Sequence, residues 1–203
     1  MAKAIVFDIG GVLIGLDLGR CIHAFREILG FERITELLDP YHQKGIYGDM
    51  EGGLIGADEF RSRVLEESRP GCVAADVDRC MGALLAGMAP DTVKTVKALS
   101  TRYPLYLLSN NNPIAMGLIN QMFRDNGIEP ETTFKGQFIS CDMRMLKPSP
   151  EFYEAAIRGI GLPPEEILFI DDNETNVLAA REAGMQSRMY VPGTPLSLLL
   201  ADL

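Results

Sequence analysis

Two short apolar runs, each stopping at a carboxylate, constrain this chain more than anything between them. They are Ile5-Val6-Phe7-Asp8-Ile9-Gly10-Gly11 near one end and Ile167-Leu168-Phe169-Ile170-Asp171-Asp172 near the other. A brief, nearly continuous apolar run reads as a strand buried on both faces, as in a parallel sheet. Open α/β sheets bind their ligands in the crevice beyond the carboxyl ends of the strands. If the two strands are neighbours, Asp8 and Asp172 meet in that crevice. Carboxylates confined together repel unless a cation joins them, so the pattern points to an oxygen-ligated divalent metal beside a carboxylate nucleophile.

The second half of the chain alternates strand with helix. Leu105 to Leu108 is a strand ending at Ser109-Asn110, and Phe138-Ile139-Ser140 is a candidate short strand before Lys147-Pro148. Glu151 to Ile160 is a helix, Glu174 to Ala183 is a second one stopped by Gly184, and Arg188 to Val191 is a final strand. Such alternation implies an α/β fold, a Rossmann-like three-layer core around a parallel sheet with right-handed crossovers.

A βαβ unit takes roughly 30 residues, and far more than that separates Asp8 from Ser109. The intervening residues read as helices. Cys21, Ala24, Phe25, Ile28 and Leu29 recur on one helical face, Phe60, Val64 and Leu65 lie on another, and a further helix covers Ala75 to Ala86. Asp39-Pro40 breaks the first region, Gly45 to Gly56 reads as a loop, and Pro90 opens a helix ending near Arg102. These features divide the chain into an α/β core, residues 1–15 and 89–203, and an inserted all-helical cap, residues 16–88. An insertion directly after the first strand overhangs the crevice, where a lid excludes water and touches substrate.

Composition narrows the partners. A formal net charge of -9 argues against nucleic acid and anionic membranes, which favour basic surfaces. Cys21, Cys72, Cys80 and Cys141 form no CxxC pair, and with His23 and His42 the only histidines, any metal site must be built from oxygen ligands. No apolar run reaches the ~20 residues a membrane helix needs, and the N-terminal run, interrupted by Asp8, is not expected to be a signal peptide. The expectation is a soluble cytoplasmic protein, monomeric or homodimeric, that takes a small phosphorylated substrate.

The chemistry follows from residue types at the strand ends. Asp8 is a carboxylate able to attack phosphorus. Ser109 and Asn110 can donate hydrogen bonds to phosphoryl oxygens, Lys147 supplies a cation for charge developing in transfer, and Asp172 beside Asp171 can complete a magnesium site. From Tyr41 to Gly53, with His42, Lys44, Tyr47 and Glu51, runs a candidate substrate-recognition segment.

Four motifs in this order resemble the haloacid dehalogenase-like hydrolase superfamily, whose members are mostly magnesium-dependent phosphatases. They are Phe7-Asp8-Ile9-Gly10-Gly11-Val12-Leu13, Leu108-Ser109-Asn110, Lys147-Pro148-Ser149-Pro150-Glu151-Phe152-Tyr153, and Phe169-Ile170-Asp171-Asp172-Asn173 followed by Asn176. The helical insertion looks like the C1-type cap of that superfamily, and the first and last motifs resemble its small bacterial sugar-phosphate phosphatases. The resemblance implies catalytic roles for Asp8, Lys147 and Asp171, with Asp171 and Asn176 nearer a supporting role. It further implies substrate binding by Ser109, Asn110 and Lys147, and Mg2+ held by Asp8, the Gly10 carbonyl and Asp172.

One departure matters. Most phosphatases of the superfamily carry a second aspartate two residues after the nucleophile, as general acid and base; here that position is Gly10. Asp17, near the cap hinge, is the expected substitute, and without a strong acid the expected preference is for sugar 1-phosphates, whose leaving oxygen needs little protonation. The same glycine leaves two alternatives open: a metal-independent 2-haloacid dehalogenase and a degenerate, non-catalytic binding module.

Overall fold

The computed structural model describes residues 2–38 and 44–203. The Asp39-Pro40 break, Tyr41 and His42 therefore lie outside the described residues. Five parallel strands form the central sheet: β1 (Ala4–Phe7), β4 (Leu105–Ser109), β5 (Phe134–Ile139), β6 (Ile167–Asp171) and β7 (Gln186–Met189), in the spatial order β5-β4-β1-β6-β7. Two further short strands, β2 (Gly15–Leu16) and β3 (Leu85–Gly87), pair separately and antiparallel.

Strand β1 is central and wholly buried, with β4 on one side and β6 on the other. Phe7 is in register with Leu107 of β4 and with Ile170 of β6. Asp8, Ser109 and Asp171 must then emerge at one edge, because parallel strands end on the same side. That edge is also where the chain changes direction across the sheet, the position at which open α/β folds leave a crevice.

Two apolar layers cover the sheet. Ile5, Phe7, Leu107 and Ile170 face a layer completed by Val96, Leu99, Ile119 and Phe123, while Val6, Leu108 and Phe169 face Phe152, Tyr153, Ala156 and Ala180. A separate cluster between β2 and β3 in sequence contains Phe25, Phe31, Tyr47, Phe60, Val64 and Val77. Among the described residues, Ile114, from the helix Pro113–Asp125, is the one that enters that cluster from the core. Of the methionines, Met81 fills the cap cluster, and Met88, Met116 and Met122 pack partly buried against the sheet layer.

Several expected elements need correction. The stretch read as a loop from Gly45 contains a helix, Gly45–Glu51, which buries Tyr47 and Met50 three residues apart. Glycine content concealed it, since the tertiary contacts of those two side chains outweigh its weak propensity. The helix expected over Ala75–Ala86 is Ala74–Gly82, and its tail becomes β3. Here pairing with β2 wins over local preference, and Arg20 donates hydrogen bonds to the carbonyls of Ala83 and Leu85. The inserted segment is consequently not all-helical; its two crossings to the core are zipped together as a ladder. Strand β5 begins at Phe134 and ends before Ser140, which starts the turn Ser140–Met143. The last strand lies two residues earlier than expected.

Candidate active site

A cavity of about 550 Å³ opens between the sheet edge and the inserted helices. Its floor includes Asp8, Ser109, Asn110, Lys147 and Asp172, so residues from four separated motifs converge as the spacing predicted. Glu51 belongs to the wall contributed by the cap.

Asp8 follows β1 and is 8 % exposed. Its Oδ1 accepts the Ile9 backbone N–H at 2.7 Å and lies 3.0 Å from Lys147 Nζ, which together fix the carboxylate plane. Burial raises its pKa to about 6; Asp171 adds to the rise, and Lys147 and a Ser109 hydrogen bond oppose it. At neutral pH it is still mostly ionised, as attack on an electrophile would require.

Lys147 is 4 % exposed and bridges two carboxylates, with Nζ 2.6 Å from Asp171 Oδ2. Its ammonium also stands 5.4 Å from the centre of the Phe169 ring. The two neighbouring carboxylates outweigh burial and hold its pKa above the ordinary lysine value, so it is a permanent cation.

Asp171 lies behind Lys147, a supporting place rather than one in contact with the cavity. It is fully buried, and besides Lys147 it accepts hydrogen bonds from the Asn173 backbone at 2.8 Å and from Asn176 Nδ2 at 3.1 Å. It does not line the cavity and contacts Lys147 from behind. The supporting role suggested for Asn176 is of the same kind, since Asn176 holds Asp171.

Asn110 is likewise redirected. Its side chain donates to the Lys147 carbonyl at 3.0 Å and accepts from the Lys147 N–H at 2.8 Å. This double clip ties the end of β4 to the lysine loop, and only the backbone of Asn110 remains to meet an anion. Ser109, 1 % exposed, sits at the end of the same strand. Asn112 caps the following helix through the Ala115 N–H at 2.9 Å, so the Ser-Asn-Asn-Asn run divides into site, clip and cap.

Asp172 is directed back towards the first motif. Asn173, rather than Asp172, caps the helix Glu174–Glu182. Burial, with Asp8 and Asp171 adding repulsion, raises the Asp172 pKa to about 7. Carboxylate oxygens of Asp8, Asp171 and Asp172 fall within 4.8 Å of one another. Because Asp171 is saturated by Lys147 and two amides, the oxygens free for a metal are those of Asp8 and Asp172. Gly10 borders them, and its bridge to Ile14 is made by Ile9 O and Gly11 N, which leaves its own carbonyl outside that pairing. An all-oxygen set with unrelieved negative charge fits a hard divalent ion such as Mg2+.

Gly11 makes this approach possible, which the sequence reading missed. At φ 78° it adopts a left-handed conformation, and a Cβ there would lie 2.1 Å from Asp172 Oδ2. Gly11→Ala should therefore displace Asp172 and cost about 1 kcal/mol or more in backbone strain. A Cβ at Gly10 would meet only the half-exposed Leu16, at 3.2 Å. Thermal melts with and without magnesium should show Gly11→Ala losing metal-dependent stabilisation and Gly10→Ala keeping it; equal behaviour would refute the packing argument.

Asp17, expected as the substitute acid, is instead the N-cap of the helix Leu18–Ala24, accepting the Arg20 N–H at 2.8 Å, and it does not line the cavity. Two cavity residues gain importance. Arg144 lines the wall with φ 53°, rare for a residue with a side chain. Glu51, on the cap helix, has its pKa raised to about 8, chiefly by burial and then by Asp8, with Lys147 opposing.

The fold and this constellation define a hydrolase of the α/β class with an aspartate at its centre. The chain matches the haloacid dehalogenase-like hydrolase family profile over residues 2–184, and it belongs to that family. It is 29 % identical over 188 residues to a D-ribitol-5-phosphate phosphatase of Bacteroides thetaiotaomicron, covering 92 % of this chain and 91 % of that protein. It also superposes with a TM-score of 0.92, at 32 % identity and over 98 % of this chain and 99 % of the other, on a haloacid dehalogenase family enzyme of Bacteroides thetaiotaomicron crystallised as a variant with magnesium and inorganic phosphate. A predicted hydrolase of the same family from Porphyromonas gingivalis gives 0.89 at 31 % identity, covering 100 % of this chain and 97 % of that one. An L-2-haloacid dehalogenase of Xanthobacter autotrophicus matches at 0.63 and 19 % identity, over 98 % of this chain and 81 % of that one, a likeness of fold alone. Among the described residues, no helix is long and apolar enough to cross a membrane.

Proposed function

We propose that this chain is a magnesium-dependent phosphomonoesterase that acts on a small sugar or polyol phosphate through an aspartyl-phosphate on Asp8. One observation carries the reading: Asp8 and Asp172 share a pocket in which a single buried lysine contacts Asp8, lowers the Asp172 pKa only in part and, among the described residues, leaves Asp172 without an ion-pair partner. Asp8, Asp172 and the Gly10 carbonyl would hold the ion. When bound, magnesium supplies positive charge that neutralises the phosphoryl oxygens and draws them towards the nucleophile.

The protein's own residues perform the rest. Lys147, locked by Asp171, orients the Asp8 carboxylate and stabilises charge on the transferring group. Ser109 and the backbone after it can receive the remaining phosphoryl oxygens, while Asn110 and Asn176 keep the lysine loop and Asp171 rigid. The cap limits substrate size and shields the phosphoryl transfer from bulk water, while still admitting the water that hydrolyses the aspartyl-phosphate. The ribitol-phosphate relative and the magnesium and phosphate in the superposable enzyme support this class of substrate.

The test is a phosphate-release screen over phosphorylated sugars and polyols with magnesium and with a chelator. Magnesium-dependent release from a subset of alkyl phosphates is expected. Halide release from 2-haloacids that survives chelation would establish the dehalogenase alternative instead, and binding without turnover would indicate the degenerate module.

A further inference from the structure

A carboxylate in the cap stands where the core lacks one. Gly10 provides no side chain beside Asp8, and Asp17 is engaged in capping a helix. Glu51 ends the helix Gly45–Glu51, and it shares the cavity with Asp8, Ser109 and Lys147. We propose that Glu51 is the general acid and base of this enzyme, delivered by the cap in place of the acid missing at position 10. The inference rests on the aspartyl-phosphate reading above and names the proton donor of that same site.

Three observations carry it. First, the end of the cap helix is bolted to the core: Ser140 Oγ donates to the Glu51 carbonyl at 2.6 Å while accepting the Asn111 N–H at 2.9 Å. One hydroxyl thus ties Glu51 to the loop that follows Ser109. Second, the chain after Glu51 is pressed onto core backbone, for a Cβ at Gly53 would lie 2.2 Å from the Cys141 carbonyl oxygen. A helix end held at this spacing has little freedom to swing away while the cap is closed. Third, the Glu51 carboxylate lies in the wall of the same cavity as Asp8, Ser109 and Lys147, and its burial there disfavours the charged form.

The step balances as follows. An Asp8 oxygen bonds to phosphorus as the ester P–O bond breaks. The electron pair of that bond stays on the leaving oxygen, which takes the Glu51 proton and departs as an alcohol. Water then attacks phosphorus and gives a proton to the Glu51 carboxylate. The bond between Asp8 and phosphorus breaks, releasing inorganic phosphate and restoring both side chains. The leaving group of ribitol 5-phosphate is a primary alkoxide, which departs poorly without a proton; a cap-borne acid would let this chain hydrolyse such esters despite Gly10. The preference for 1-phosphates expected from the glycine alone would then weaken or vanish.

Glu51→Gln keeps shape and removes the proton, so leaving-group dependence reads the role directly. On an alkyl phosphate that the wild type hydrolyses, kcat should fall by about 10²- to 10⁴-fold with KM changed much less. On nitrophenyl phosphate, whose leaving group needs no proton, the variant should release a first equivalent of nitrophenol near the wild-type rate. It should then turn over slowly, because the second half-reaction lacks its base. Adding Gly10→Asp to Glu51→Gln should restore part of the alkyl-phosphate turnover, since only the half-exposed Leu16 must yield. Ser140→Ala, remote from the reacting atoms, should give a weaker form of the same split even if Glu51→Gln folds poorly. Equal loss of the burst and of alkyl turnover, or a change in KM alone, would overturn the assignment and leave Glu51 a binding residue. A wild type that releases phosphate from neither ester would overturn the phosphatase reading beneath it.

Discussion

Asp8→Asn should abolish turnover and, in metal-free protein near neutral pH, raise the melting temperature. Loss of activity follows because an amide oxygen is a far weaker nucleophile than a carboxylate; removing a covalent nucleophile costs several orders of magnitude in kcat. The stability gain follows from charge. The folded pKa of Asp8, about 6, lies above its ordinary value of 3.8. A carboxyl raised in this way favours the fold below its ordinary pKa, and that favour is lost as pH rises through the folded value. Near pH 8 the wild type therefore holds an unfavourable charge, which the amide removes. Asp171 remains to pair with Lys147, so the substitution leaves no orphaned cation. Melts in chelator should place the variant at or above the wild type near pH 8, and level with it or below near pH 4. Acid-quenched wild type should carry one phosphoryl group on the peptide containing Asp8, and the variant none. A variant that is less stable near pH 8, or that still turns over, would contradict this account of the pocket.

The opposite effects expected at one residue explain which parts of the site the sequence displays. Asp8, Ser109 and Asp172 were legible because each stands at or just beyond the end of an apolar run, and parallel strands bring such ends together; Lys147 was legible as the lysine directly before Pro148. The partner of each was not legible. Nothing in Leu108-Ser109-Asn110 announces that the Asn110 side chain clips the Lys147 backbone. Two adjacent aspartates look alike on paper, yet one is saturated behind the lysine and the other is free beside Gly11. A positive φ at Gly11 could have been suspected from the double glycine, but its contact with a residue so distant in sequence could not. Glu51 was visible as a member of a candidate recognition segment but not as a helix end beside Asp8, because the helix that carries it is held by tertiary burial of Tyr47 and Met50. The β2–β3 ladder was hidden for a related reason: Ala83 to Ala86 prefer helix, and a partner from the other side of the insertion decides otherwise.

Lys147→Met should be the most damaging single change to the fold, and its repair should not restore function. Among the described residues, Lys147 is the one cation touching Asp171, which has no exposure to water. Removing one partner of a buried ion pair leaves an uncompensated charge and costs about 3–5 kcal/mol. For a domain of this size that corresponds to a fall in melting temperature of roughly 6–20 °C. The cause can be separated from lost packing, because methionine nearly fills the space of the lysine stem. One result should follow from the orphaned charge alone. Adding Asp171→Asn should recover much of the lost stability at neutral pH, since an amide needs no counter-ion. Turnover should stay lost in both variants, because nothing replaces the ammonium 3.0 Å from Asp8 Oδ1. Melting curves for the single and double variants at neutral pH, with phosphate release measured alongside, test both halves. A single variant as stable as the wild type would mean that Asp171 finds another partner; a double variant that recovers turnover would mean that Lys147 serves the fold alone.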